Sequence, residues 1–209
     1  MKCFKMVWLV ILYSIALSGI VTAGEIKGRV SSEWLDSPKD ILIFIEKVDT
    51  SLTFELSKQH PKMDQRDLTF IPHVLPIVVG TTVDFPNGDI VQHNVFSPTK
   101  IKKFDLGSYS PSEVKSITFD KPGKVALLCK IHPEMSAYIV VLNNPYFALT
   151  DDDGKYVIKS VPANSYKLST WHKALKTVTK VVIVPAEGST EIDFELVIGE
   201  PDNLLQLLK

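Results

Sequence analysis

The sequence predicts an all-β protein, built as one β-sandwich or as a pair of them. Three features point to it: apolar residues gather in short runs rich in Val, Ile and Phe, the runs are bounded by Pro, Gly, Asn and Asp, and helical periodicity is almost absent. At 209 residues, with 45% hydrophobic and 22% charged residues, the chain suits one large or two small ordinary globular domains. Its formal charge of -1 argues against a generic nucleic-acid binder, which would be basic.

The first residues read as an export signal. Lys2 and Lys5 precede a charge-free run over residues 7–21, and Val21, Thr22 and Ala23 supply the modest side chains that a signal peptidase accepts. Residues 1–23 are therefore expected to be cleaved, because the run falls short of the roughly 20 residues that an uncleaved anchor needs. Cleavage would remove Lys2 and Lys5 and no acid, taking the formal charge from -1 to -3. The expected product is periplasmic or secreted and has no membrane attachment. Cys3 leaves with the signal, so Cys129 becomes the only thiol. An unpaired Cys in an oxidising compartment is a liability unless buried, catalytic or metal-bound.

Strands are then expected over residues 25–31, 41–46, 68–71, 77–85, 116–119, 124–128 and 137–142, and again over 156–159, 166–170, 177–184 and 191–197. Only the tail at 204–208 and a piece around 52–58 read as helical. The polar stretch 56–66 suits a domain boundary, and Asn143, Asn144 and Pro145 suit a second.

Chemistry concentrates in one loop. The apolar run Val125, Ala126, Leu127, Leu128 ends at Cys129, with His132 three residues on and Met135 three further. A strand would present the thiolate at its end, and a turn stiffened by Pro133 would bring imidazole and thioether back toward it. His93, beyond the Pro86, Asn87, Gly88 turn, is the candidate fourth ligand. Two His, one Cys and a weak Met form the donor set of an electron-transfer copper site. Zinc would call for Glu134 in place of Met135. One thiol excludes a dinuclear thiolate-bridged centre and multi-Cys clusters, and the three remaining His are too few for a trinuclear oxidase centre.

The stretch from about residue 63 to 142 resembles the cupredoxins, the small blue copper proteins. The likeness rests on residues 70–85, on Gln92, His93, Asn94, Val95, on 119–123, and on Cys129, Lys130, Ile131, His132, Pro133, Glu134, Met135. The loop of Cys, two residues, His, two residues, Met is similar to the amicyanin type within a plastocyanin-like family. Leu127 and Ala137 depart from it, standing where an aromatic and a Gly are usual. The resemblance implies a Greek-key β-sandwich, equatorial ligands His93, Cys129 and His132, axial Met135, and Asn94 tying the two ligand segments by hydrogen bonds. It also implies an electron port at His132 and a redox partner such as a cytochrome or dehydrogenase.

A second module surrounds it. The acidic turn Asp151, Asp152, Asp153, Gly154, followed by Val161, Pro162, Ala163, Asn164, resembles the carboxypeptidase regulatory-like, transthyretin-like β-sandwich, whose opening Gly, any residue, Val strand would be Gly28, Arg29, Val30. Residues 24–58 and 144–198 are then expected to form this smaller Ig-like or transthyretin-like sandwich, with a copper domain at 59–143 inserted and a tail at 199–209. Asp151 to Asp153 lack the alternate spacing of a calcium loop. His60, His73 and His172 are too scattered to predict a second metal site. A Cys129–His132 nucleophilic pair lacks an orienting third group, so the chain is expected not to be an enzyme. It is read as a one-electron carrier with a single Cu(I)/Cu(II) ion, the alternative being a module for copper storage, delivery or sensing.

Overall fold

The computed structural model describes residues 23–199. The expectations for residues 1–22 and 200–209, which include most of the export signal and the helical tail, lie outside the described residues. Within them the protein is all-β, its one helical element a 3-10 turn at Lys100–Lys102.

The chain starts with β1 (Ala23–Ser31) and β2 (Leu42–Ile45). Nine strands follow: β3 (Asp64–Arg66), β4 (Thr69–Ile71), β5 (Val74–Val78), β6 (Thr82–Pro86), β7 (His93–Ser97), β8 (Phe104–Tyr109), β9 (Val114–Thr118), β10 (Gly123–Leu128) and β11 (Ser136–Leu142). The last six are β12 (Phe147–Leu149), β13 (Lys155–Pro162), β14 (Asn164–Trp171), β15 (Thr179–Val184), β16 (Ser189–Glu191) and β17 (Phe194–Glu195).

Pairing crosses the chain. β1 joins β13, β16 and β17, while β2 lies between β12 and β14, with β15 beyond. Ile26 and Val30 from the first sheet meet Ile43, Ile45 and Leu168 from the second in one buried core. Gly28 lets the link between β16 and β17 cross close against β1, because a Cβ there would stand 1.9 Å from the Ile192 carbonyl oxygen. The central strands form their own layers: β5-β11-β10-β7-β8 in one sheet, the β6-β9 ladder, and the β3-β4 hairpin. Phe70, Phe85, Phe119, Leu127 and Met135 fill the core between them.

A third cluster joins the two sandwiches. Alternate residues of β11 divide its side chains, Ala137, Ile139 and Val141 facing the central core and Tyr138, Val140 and Leu142 facing the junction. There they meet Leu42 of β2 and Trp171 of β14. A strand covered on both faces reads as a continuous apolar run, which is why residues 137–142 carry no polar group except the Tyr138 hydroxyl.

Some sequence expectations change. The run 77–85 is broken by a turn in which Thr81 N–H donates to Val78 and Gly80 adopts φ +91°, a conformation costly for any residue with a Cβ. Residues 191–197 divide between β16 and β17, because Ile192 N–H donates to Lys27 and bends the chain between two pairings with β1. Residues 52–58 are irregular rather than helical, entered through a turn in which Asp49 accepts from the N–H groups of Ser51 and Leu52.

Candidate metal centre

His93 opens β7 and is fully buried, paired across the ladder with Tyr109 of β8. Cys129 follows β10 directly, where Leu128 pairs with Phe96 of the same β7. Adjacent antiparallel strands thus bring two stretches far apart in sequence to one end of the sheet. Lys130 to Glu134 form the connecting loop, and Met135 N–H donates to the His132 carbonyl before the chain enters β11.

Three donors converge. Cys129 Sγ, His93 and His132 each place a ligand atom within 4.8 Å of the others, the single group of this kind among the described residues. The two Nδ1 atoms lie 3.1 Å apart, and His132 Nδ1 lies 3.9 Å from the sulfur. The sulfur also accepts the His132 backbone N–H at 3.4 Å. Met135 is buried in the same core, one residue before β11. Glu134, the carboxylate that zinc would have needed, is exposed and outside the group.

Hydrogen bonds orient these side chains. Asn94 Oδ1 accepts the Lys130 N–H at 3.3 Å and its Nδ2 donates to Asp105 at 2.8 Å, so the residue after one His is tied to the residue after the Cys. Lys130 reaches the other oxygen of Asp105 and lies over the Phe96 ring. Lys130, then the Gly107 N–H, then Asn94 draw the Asp105 carboxyl down to about 2. Because this value lies below the roughly 3.9 of an unfolded Asp, the stabilisation is present above about pH 4 and disappears as pH falls through 2. Denaturant midpoints measured from pH 5 to 2 should therefore fall less steeply for Asp105→Asn than for the parent protein.

Asp89 is a residue that the sequence did not single out. Its Oδ2 lies 3.0 Å from His93 Nε2, and the same carboxylate accepts the N–H groups of Leu68 and Ile90. The Leu68 N–H, then His93, then the Ile90 N–H bring its carboxyl to about 2. An ionised carboxylate can only accept, so Nε2 carries the proton and leaves Nδ1, 3.1 Å from His132 Nδ1, as the ring's free donor atom within the group. The spacing of Asp and His four residues apart was the available signal, but it gains meaning only once the β3-β4 hairpin supplies Leu68.

The other candidates lie elsewhere. His60 is held by Asp84 and His73 by Lys173, while the Asp151 side chain accepts from Asp153 and Lys155 N–H groups in a turn closed by Gly154.

No protein-family model and no curated protein matches the chain. Solved structures of cupredoxins match less than half of it. A purple cupredoxin from Nitrosopumilus maritimus is 24% identical, with 39% of this chain and 98% of that one covered and a TM-score of 0.37. A reduced variant of amicyanin is 23% identical over 42% of this chain and 86% of that one, with a TM-score of 0.38. An oxidised amicyanin variant is 22% identical at the same coverage and score.

Proposed function

We propose that this chain is an exported electron carrier, not an enzyme, that holds one copper ion on His93, Cys129 and His132 with Met135 as a weaker fourth donor. The observation behind this is the meeting of two imidazole nitrogens and the sole thiol of the described residues inside 4.8 Å. The donor set fits the metal: sulfur suits Cu(I), imidazole suits both oxidation states, and a thioether is a common distant ligand. When bound, copper supplies one-electron redox chemistry through Cu(I) and Cu(II).

The chain's own residues keep that chemistry fast by holding still. Asp89, Asn94 and the His132 N–H fix the donors through bonds that form without the ion, so little reorganisation accompanies a change of charge. His132 is half-buried beside exposed Ile131, and Leu68, Ile90 and Val91 are exposed on the segments bound to Asp89. This apolar rim suits a transient redox partner, for which a cytochrome or dehydrogenase is our proposal. The pairing of β1 and β2 with β12–β17 supports a regulatory-like, transthyretin-like sandwich at 24–58 and 144–198 around a copper module at 59–143. We assign that sandwich a structural or docking role.

The test is a visible spectrum of the purified protein during Cu(II) addition. One equivalent should raise an intense band that a small cytochrome bleaches and restores reversibly. A colourless complex, or copper that passes readily to an acceptor without redox cycling, would overturn electron transfer in favour of storage or delivery. Asp89→Asn should keep the band, raise the reduction potential by removing a negative charge, and weaken copper binding about 10–100-fold. Voltammetry and chelator competition check this.

A further inference from the structure

We propose that two copies of this chain pair through the open edge of β15, extending the β12-β2-β14-β15 sheet across a two-fold axis. Among the described residues no strand lies beyond β15. Thr170 N–H donates to Val178 in the β14–β15 register, which assigns the even-numbered residues of β15 to the ladder with β14. In an antiparallel ladder the alternate residues then turn their N–H and C=O groups outward. Those are Thr179, Val181 and Ile183; the Ile183 carbonyl already accepts the Thr190 hydroxyl on that side, which takes one of its two lone pairs and leaves the other for a partner strand. A sheet edge with no strand paired to it is a template for another strand.

The side chains favour pairing too. Val181 and Ile183 are 67% and 72% exposed. They extend the sheet face whose other half, Leu42, Phe44 and Trp171, already packs on the central sandwich. Edge strands commonly deter pairing with a Lys. Here Lys180 is turned away, its Nζ donating to the Asp193 carbonyl at 2.6 Å and lying over the Phe194 ring.

The occupant that fits is the same strand. Centring a two-fold on Val181 makes it a hydrogen-bonded pair with its own copy, sets Thr179 against Ile183, and places Lys180 opposite Val182 rather than opposite another Lys. A six-residue edge buries less than the roughly 1,200 Å² of a stable interface, so the dimer is weak and concentration-dependent.

Sedimentation velocity of the full chain tests this, independently of copper. The expected result is a mass that rises toward twice the chain with concentration, and that stays monomeric in Val181→Lys at an unchanged melting temperature. Val181→Cys should form an interchain disulfide under oxidation, since hydrogen-bonded pairs have Cα atoms about 5.5 Å apart. A monomer at every concentration, or a dimer that survives Val181→Lys, overturns the interface. Loss of the dimer in Val181→Lys without cross-linking at 181 overturns the two-fold register.

Discussion

Replacing Cys129 with Ala is expected to abolish completely the intense visible absorption proposed for the copper-loaded protein. The band needs a thiolate donor, and Cys129 is the only Cys among the described residues. The two histidines, 3.1 Å apart in the parent chain, would still offer two nitrogen donors to the proposed ion. Without sulfur, however, affinity should drop by more than the roughly 10–100-fold that losing a hydrogen-bond partner of a ligand costs. Chelator competition followed by absorption spectroscopy measures both. A variant that kept its colour would refute the ligand assignment outright, while an unchanged circular dichroism spectrum would separate loss of metal from loss of fold.

The largest stability effect is expected at Trp171. Its ring is 2% exposed, meets Tyr138 of β11 edge-on at 5.4 Å, and lies under the Lys124 ammonium. Truncation to Ala should cost about 3–5 kcal/mol, a large part of the roughly 5–15 kcal/mol that holds a domain folded. The lost contacts belong to the junction between the sandwiches rather than to either core. Urea unfolding should therefore begin earlier and separate into two transitions, one followed by metal-site absorption and one by far-ultraviolet circular dichroism. A single transition at the parent midpoint would show that the junction contributes little.

Much of this was legible in the chain. The spacing of Cys129, His132 and Met135 described a loop of fixed size, and β10 and β11 announced themselves through the apolar runs 125–128 and 137–142, as strands covered on both faces do. β7 and β8 were not legible. His93 and Asn94 are polar residues buried for their bonds to Asp89, Asp105 and His132, so the strand that begins with them has no alternating pattern to detect. Asp89 escaped for a related reason: its partners come from three segments, and only the folded hairpin assembles them. The break at Gly80 was hidden by the β-branched residues flanking it.

The pairing of the first strands with the last has a kinetic consequence. Arg29 N–H donates to Asp193, a partner 164 residues away, so the sheet around β1 cannot be completed until the chain is nearly finished. The central strands need only each other. Once they condense, the Phe54 and Tyr146 rings on either side of them stand 5.8 Å apart, and the long intervening segment acts as a short tether. Each halving of an effective loop recovers about 0.6 kcal/mol of closure entropy. Pulsed hydrogen exchange during refolding should accordingly find amide protection in β10 and β11 first and in β1 last.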